Sequence, residues 1–342
     1  MFLIEEGTEL SKITTLGVGG PARFFSKVSS YEDLRLSVLF ANERGVPFKV
    51  IGGGSNILVS DLGFDGLIIK MDIRGTEWKE SGSKGEMVFK VSAGERWDSV
   101  VESSVKRGLY GIENLSGIPG TAGAAPVQNI GSYGVELSDV LISVLAYDTF
   151  EDRTVTFSKR DCLFGYRESV FKNSADRFVI ISLEMELSEL TGPRLEYKDL
   201  AERMENIKGR PSPKDVRDSL LEIRREKFSE YFKGLGSAGS FFKNLTVSRE
   251  ETKRLRIDFP DIPFHDQSDG SFKIPLAWIL DRVLNLRGYR KGNVGLSEHQ
   301  PLILMSFSGA TASEIDSFAD EIAVKVKNVT GLDIEREVVS VP

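Results

Sequence analysis

Cysteine and histidine are almost absent from this chain: its 342 residues include one cysteine, Cys162, and two histidines, His265 and His299. A lone cysteine forms no intramolecular disulfide and no cysteine cluster for a metal, and two isolated histidines leave no histidine-rich metal site. No apolar run approaches the roughly 20 residues that span a bilayer, so no membrane segment is expected. The opening MFLIEEGTEL has no basic stretch leading into an apolar core, so no secretory signal is expected and the cytoplasm is the simplest compartment. Positive charge is in deficit too. Forty-four lysines and arginines against 51 acidic residues give a net charge of −7, which argues against a general nucleic-acid binder while leaving room for a local anion site. There is no internal repeat and no low-complexity segment. With 40% hydrophobic and 28% charged residues, the composition is that of an ordinary globular protein, long enough for two or three domains.

Glycine is plentiful where it matters. Gly117 to Gly134, GIPGTAGAAPVQNIGSYG, holds five glycines in eighteen residues between hydrophobic segments. Without a Cβ, such backbone can close directly on a ligand, and successive amides form a positive nest suited to a diphosphate. A second turn, GGGSN at 52–56, follows the strand-like FKVI at 48–51. Neither segment is a Walker or a GxGxxG pattern. A pair of backbone cradles, with Ser55, Asn56, Gln128 and Asn129 as side-chain partners, points to a large phosphate-bearing ligand. The plainer reading is two tight turns at a domain edge.

Periodicity organises the rest. Ser30 and Asp33 form a helix-opening pair, Leu34, Val38 and Ala41 give one apolar face, and Gly45 with Pro47 ends the helix. With FKVI and LIIKM at 67–71 this predicts a small α/β block over 1–74. Met87, Phe89 and Val91 alternate as a half-buried strand, while Trp97, Val100, Val101 and Val105 repeat at helical spacing up to Gly108. Apolar runs at 140–147 and 178–187 complete a larger α+β block over 75–212. Ser212 and Pro213 fit N-cap and N1 of a helix carrying Val216, Leu220 and Ile223. A third block over 226–331 holds helices opening at Pro275 and near Ser313, and a final strand is expected within 332–342.

Several polar residues admit a chemical reading beside an ordinary one. Ser240, in GSAGSFFKN, is by default a turn former; a serine hydroxyl is a poor acid and protonates carbon only against a strongly basic partner. Glu337, in DIEREVVSV, alternates onto the face of Val339 and Val341, where desolvation would raise its pKa and fit it to hold a proton. Arg167, in FGYRES, is by default a surface ion pair, yet a guanidinium also binds a carboxylate through two bonds and stabilises charge as it builds. Tyr197, in RLEYKDL, reads alone as a core edge.

GGGSN at 52–56, IPGTAGAAPVQNIGSYG at 118–134, GYRES at 165–169, GSFFKN at 239–244 and EREV at 335–338, in this order, resemble the motifs of the UDP-N-acetylenolpyruvoylglucosamine reductase family, flavoenzymes of peptidoglycan precursor synthesis. The resemblance implies an α+β fold: a two-part FAD-binding region of the PCMH type, residues 1–74 and 75–212 with 332–342 returning to the latter, plus a separate α/β substrate-binding domain over 226–331. It implies non-covalent FAD held by Gly52, Gly53, Gly54, Ser55, Asn56, Ile118, Pro119, Gly120, Gly123, Ala124, Gln128, Asn129 and Gly131. A main-chain cradle suits this ligand because amide dipoles meet the diphosphate without a buried competing cation.

NADPH is the implied hydride donor, and UDP-N-acetylglucosamine enolpyruvate the substrate reduced to UDP-N-acetylmuramate. By the same resemblance, Ser240 protonates the α-carbon, and Arg167 and Glu337 stabilise the charge that hydride addition at the β-carbon creates. Tyr166, Tyr197, Lys227, Asn244 and Gln300 are implied substrate contacts, Tyr197 marking the branch whose loop closes over the uridine nucleotide. The surroundings of Lys227 differ from the family by an insertion. The family's opening motif has asparagine where this chain has Thr14, so one amide contact is missing. No metal is implied, and a monomer is expected. The rivals are an FAD oxidase of a sugar or alcohol, which would often tether flavin through a histidine or cysteine that no glycine segment holds here, and a non-catalytic nucleotide-binding module, which would have lost Ser240, Arg167 or Glu337.

Overall fold

Ser30 caps the helix Tyr31–Arg44 by accepting the Asp33 N–H at 3.1 Å, and Gly45, at φ 64°, ends it. The computed structural model describes residues 2–174, 176–227, 235–267 and 269–342. These form two compact units, one of Met1–Thr8, Ala22–Gly54 and Phe64–Arg225, the other of Glu9–Pro21, Ser55–Gly63 and Glu226–Pro342.

In the first unit, Pro21–Val28 and Phe48–Ile51 both run parallel to Phe64–Met71, in a sheet completed by Glu5–Glu9. The helix after Pro21–Val28 is the crossover that a parallel pair requires. A five-stranded antiparallel sheet follows, in the order Arg153–Ser158, Leu141–Asp148, Phe178–Ser188, Glu86–Ser92, Thr76–Glu80. Phe89 and Val91 are fully buried on it, and the helix Trp97–Lys106 buries Trp97, Val100, Val101 and Val105. The sequence divides this region at residue 74, but its two sheets share one apolar core running from Phe24 to Leu187. Helix Pro213–Lys227 opens as expected, with Ser212 Oγ accepting the Asp215 N–H at 3.3 Å, and its Val216, Leu220 and Ile223 pack with Leu200 and Met204.

The second unit contains an antiparallel sheet in the order Gly236–Ser240, Ile303–Ser306, Val294–Leu296, Arg290–Lys291, and a smaller one of Leu245–Val247, Phe272–Ile274 and His265–Asp266. Thr311, reciprocally bonded with Glu314, opens the long helix Ala312–Thr330, and Gly331 at φ 73° closes it. Residues 228–234, in the segment expected to open the substrate-binding block, lie outside the described residues. The last strand departs from expectation. Val339–Val341 pairs in parallel with Ile57–Val59, the three residues just past GGGSN, and not with the strands of 75–212. A three-residue strand after a glycine turn carries too little periodicity to be seen in advance.

Candidate active site

The GGGSN turn begins where the parallel sheet ends. Ile51 lies opposite Lys70 in the ladder, and the Lys70 ammonium donates to the Gly52 carbonyl. A cation therefore reaches this turn, contrary to the purely main-chain cradle expected. Burial lowers the Lys70 pKa from the usual lysine value, with Lys27 and Arg74 adding to the effect and Asp72 opposing it. Turn and glycine segment meet within the first unit at van der Waals limits. A Cβ on Gly53 would lie 2.8 Å from Gly120 Cα, and one on Gly52 would lie 2.3 Å from Thr121 Oγ1. Gly54 and Gly120 take φ of 68° and 115°, open to glycine alone at little cost. Thr121 Oγ1 is buried with no hydrogen-bond partner among the described residues. Ile118 is half-buried and Pro119 exposed at the start of the segment.

Other candidates in the segment bond or pack against protein, Ala124 while exposed and Gln128 and Asn129 while buried. Gly123 donates its N–H to Ala93 at 2.8 Å, and a Cβ there would sit 2.6 Å from the Ala93 Cβ, so packing already accounts for a glycine. Ala124 N–H bonds the Thr121 carbonyl at 3.0 Å. Asn129 is 1% exposed at φ 41°; its amide donates to Glu136 at 2.7 Å and to Gly165 O at 3.3 Å, and its oxygen accepts the Ser138 N–H at 3.0 Å. Gln128 beside it is buried.

Those bonds tie the segment to the loop bearing Arg167. Gly165 and Glu168 bond reciprocally at 3.1 and 3.2 Å, leaving Tyr166 and Arg167 at the tip, Arg167 at φ 58°. The Arg167 guanidinium donates to Gly131 O at 3.2 Å and lies 5.4 Å from the Tyr166 ring centre. Ser169 Oγ, which caps the next turn of helix, donates to Val127 O at 2.7 Å. Val127, Asn129 and Gly131 thus hold one loop. Tyr197, 51% exposed, leans on Tyr133 with ring centres 5.4 Å apart, and its carbonyl accepts the first N–H groups of helix Lys198–Met204. Lys227 is the last residue of helix Pro213–Lys227.

In the second unit, Ser240 ends its strand opposite Ile303, and Phe241 and Phe242 beyond it are fully buried. The segment then pairs with the C-terminal stretch: Glu337 N–H bonds Phe241 O at 2.8 Å and Lys243 N–H bonds Glu335 O at 2.9 Å. The Lys243 ammonium also meets the Glu335 carboxylate at 2.8 Å. Asn56 Nδ2 donates to Glu337 O at 3.2 Å. Glu337 is half-buried and precedes the strand, so it does not alternate with Val339 and Val341 as its sequence suggests. The reason is the bridge at Arg336, which commits this stretch to Phe242 before the parallel pairing begins. Asn244 caps a helix, its Oδ1 accepting the Leu276 N–H at 3.0 Å, and Gln300 holds a turn, its carbonyl accepting the Ile303 N–H at 2.9 Å. Thr14, which stands where asparagine is expected, donates to Val18 O at 3.0 Å.

Four residues of the first unit escaped the sequence reading: Lys70, Asp98, Thr121 and Arg224. Lys70 carried a faint signal, a lysine in an otherwise apolar strand. Among the described residues, no group of three or more His, Cys, Asp or Glu side chains could hold a metal, and no helix is long and apolar enough to cross a membrane. A glycine cradle with no room for a Cβ, an orphaned threonine hydroxyl and an orphaned arginine nitrogen fit a bound nucleotide cofactor.

Comparison with known proteins agrees. Residues 22–152 match the FAD binding domain family, and residues 230–341 match the C-terminal domain of UDP-N-acetylenolpyruvoylglucosamine reductase. The UDP-N-acetylenolpyruvoylglucosamine reductase of Pseudomonas aeruginosa is 38% identical over 335 residues, 98% of either chain. That of Thermobifida fusca is 37% identical over 345 aligned residues, 97% of this chain and 96% of the relative. The crystal structure of the Thermus caldophilus reductase matches with a TM-score of 0.67 at 23% identity, covering 100% of both chains. A VAO-type flavoprotein from Myceliophthora thermophila matches with a TM-score of 0.50 at 12% identity, over 91% of this chain and 70% of that one, a likeness of fold alone.

Proposed function

The chain belongs to the UDP-N-acetylenolpyruvoylglucosamine reductase family, and from that premise we propose that it reduces UDP-N-acetylglucosamine enolpyruvate to UDP-N-acetylmuramate with NADPH, through bound FAD. One observation carries the reading best. Ser240 and Glu337, distant in sequence, become neighbours in the second unit because the Glu337 N–H bonds the carbonyl of Phe241, the residue after Ser240. A hydroxyl and a carboxyl group brought close along the backbone supply a proton donor and a second group able to hydrogen-bond the charge that protonation removes.

Gly52, Gly53, Gly54, Gly120 and Gly131 would hold FAD, with Ser55 and Asn56 continuing the turn. Bound FAD would supply the hydride chemistry, accepting hydride from NADPH and returning it to the enolpyruvyl β-carbon. The negative charge this pushes toward the α-carbon and carboxylate would be met by Arg167, whose fork suits a carboxylate, and by a hydrogen bond donated from Glu337 as the carboxylic acid. Ser240 gives its proton to the α-carbon, so one hydride and one proton add across the double bond. Phe241 and Phe242, which follow it, are buried and anchor the segment that carries the serine. We assign substrate contacts to Tyr166, Tyr197, Lys227, Asn244 and Gln300, with Tyr197 on the loop that closes over the uridine nucleotide. We also propose a monomer in the cytoplasm, where one buried cysteine is at home.

The test is anaerobic. NADPH in slight deficit should bleach the flavin's visible absorbance. UDP-N-acetylglucosamine enolpyruvate should restore it, and UDP-N-acetylglucosamine should not. A bleach that only oxygen reverses would point instead to an oxidase, and a protein that binds no flavin would remove the reading altogether.

A further inference from the structure

Asn56 ends the GGGSN turn, and the family resemblance makes it a cofactor contact, yet its side-chain amide is already committed within the protein. Its Nδ2 donates to the Glu337 carbonyl at 3.2 Å, and its own carbonyl accepts the Val339 N–H at 3.0 Å. Both bonds stand at the start of the parallel pairing of Ile57–Val59 with Val339–Val341. In a regular parallel ladder, backbone groups alone make the rungs. Here a side chain makes one, and the pairing reaches back as far as Glu337.

That extra bond falls where it matters. Glu337 lies between two peptide groups, each held by a different segment of the second unit. The peptide before it gives its N–H to Phe241 O at 2.8 Å, and the one after it presents its carbonyl to Asn56. Peptide groups are planar, so holding both sets the two soft backbone angles at Glu337 and the direction in which its side chain leaves the chain. The neighbours are anchored too. Arg336 bonds Asp316 and, at 2.7 Å, Asp320, both on helix Ala312–Thr330, and Val338 is buried in the core. Asp61, at the far end of the segment that carries Asn56, accepts the N–H groups of Ala312 and Ser313 at 2.7 and 2.9 Å, which ties the segment to the same helix. The paired strand and the Asp61 cap would hold this segment without Asn56. What the half-buried Asn56 side chain adds is a grip on the Glu337 carbonyl.

We propose that Asn56 is a positioning residue for Glu337: its amide fixes the backbone from which the Glu337 carboxyl group serves the protonation step beside Ser240. The side chain then works for the proton-handling half of the reaction and not for retention of FAD. This rests on the role proposed above for Glu337. The experiment is a double-mutant cycle on the holoprotein. Asn56→Ala and Asn56→Leu, which remove the donor without adding charge, are each made in the parent and in Glu337→Ala. FAD retained on dilution is measured, and the two half-reactions are followed by stopped flow, with the enolpyruvyl nucleotide varied to separate its affinity from the limiting rate.

In the parent background, either substitution should leave FAD retention, bleaching by NADPH and nucleotide affinity as they were. The limiting rate of flavin recovery should fall by about 10- to 100-fold, the scale for a reacting group held slightly out of place. In the Glu337→Ala background, the same substitution should cost less than about twofold, because no carboxyl group remains to be positioned. Three results would overturn the assignment: a recovery rate equal to the parent's, a loss of FAD or slowed bleaching, which marks a cofactor ligand, and a slowing repeated in full in the Glu337→Ala background, which marks a structural residue. Should Asn56→Ala not fold, Asn56→Leu decides alone by the same cycle. A Glu337→Ala protein that recovers as fast as the parent would overturn the role of Glu337 itself, and this inference with it.

Discussion

Ser240 can act as an acid only at the moment a strongly basic carbon forms beside it, so its removal should leave the other half of the reaction alone. In Ser240→Ala, bleaching of the flavin by NADPH should keep its parental rate, while recovery with the enolpyruvyl nucleotide slows by about 10²- to 10⁴-fold, the range for a lost general acid. Stopped-flow measurement of the two half-reactions reads this directly, and equal loss in both would sink the proton-donor role. Asn129 is a different kind of residue. With its amide spent on Glu136, Gly165 and Ser138, it holds the Arg167 loop by its side chain and has only its backbone left for a ligand. Asn129→Asp would set a carboxylate against Glu136 and abolish the donation to Gly165, so it should destabilise by at least about 2 kcal/mol, seen in denaturant melts. Motif order singled out Ser240, Arg167 and Glu337 as candidates. It could not reveal that Asn129 faces inward, because an asparagine in a glycine loop looks the same whether it bonds ligand or protein.

Among the elements, the glycine turns separate packing from binding. Gly53→Ala drives a Cβ into the Gly120 backbone at 2.8 Å, where nothing can give, and so parts the two turns. Gly123→Ala strikes Ala93 at 2.6 Å, inside the core. Excess FAD should raise the parent's melting temperature by mass action. Gly53→Ala should lose most of that rise, whereas Gly123→Ala should melt lower with or without FAD and keep the rise. Differential scanning fluorimetry with and without FAD distinguishes them. A second device ties helix Ala312–Thr330 to Arg290–Lys291. Glu321 accepts from Lys291 at 2.6 Å and from Tyr289 at 2.7 Å, and these bonds, Lys291 first, hold its carboxyl down at about 2. A depressed folded value stabilises fully above the unfolded carboxylate value and is lost as pH falls through the folded one. The parent should therefore outmelt Glu321→Gln near neutrality, and the two curves should converge as pH drops from about 4.5 toward 2. A constant gap across that window would remove the ion pair as its cause.

At the scale of the whole molecule, what the sequence disclosed and what it hid follow one rule. Helices with caps and long alternating strands were legible: Ser30 to Gly45, Phe48–Ile51, Trp97–Lys106, Pro213–Lys227 and the helix closed by Gly331 all lie where periodicity places them. Features fixed by distant pairing were not. Leu16 and Val18 near the N-terminus and Leu58 after the glycine turn are buried in the same core as Phe241, Leu280 and Phe318, and nothing local in those short runs announces it. The chain consequently enters or leaves the second unit at Glu9, Pro21, Ser55, Gly63 and Glu226. The family boundary, where the C-terminal match begins at residue 230, looks like a place to cut, yet a chain ending at Arg225 would keep Glu9–Pro21 and Ser55–Gly63 without the core that buries them. Leu16, Val18 and Leu58, each under 5% exposed, would then face water, along with the edge of Ile57–Val59 that Val339–Val341 covers. Fully burying each such side chain stabilises by about 1.5–3 kcal/mol, and an uncovered apolar strand edge invites association. The truncated chain should aggregate or bind a hydrophobic dye strongly, whereas adding back residues 226–342 as a separate polypeptide should restore solubility and FAD binding together. A truncated chain that is monomeric, dye-silent and FAD-loaded by itself would show that the three short segments are passengers in the second unit's core and not part of what holds the first together.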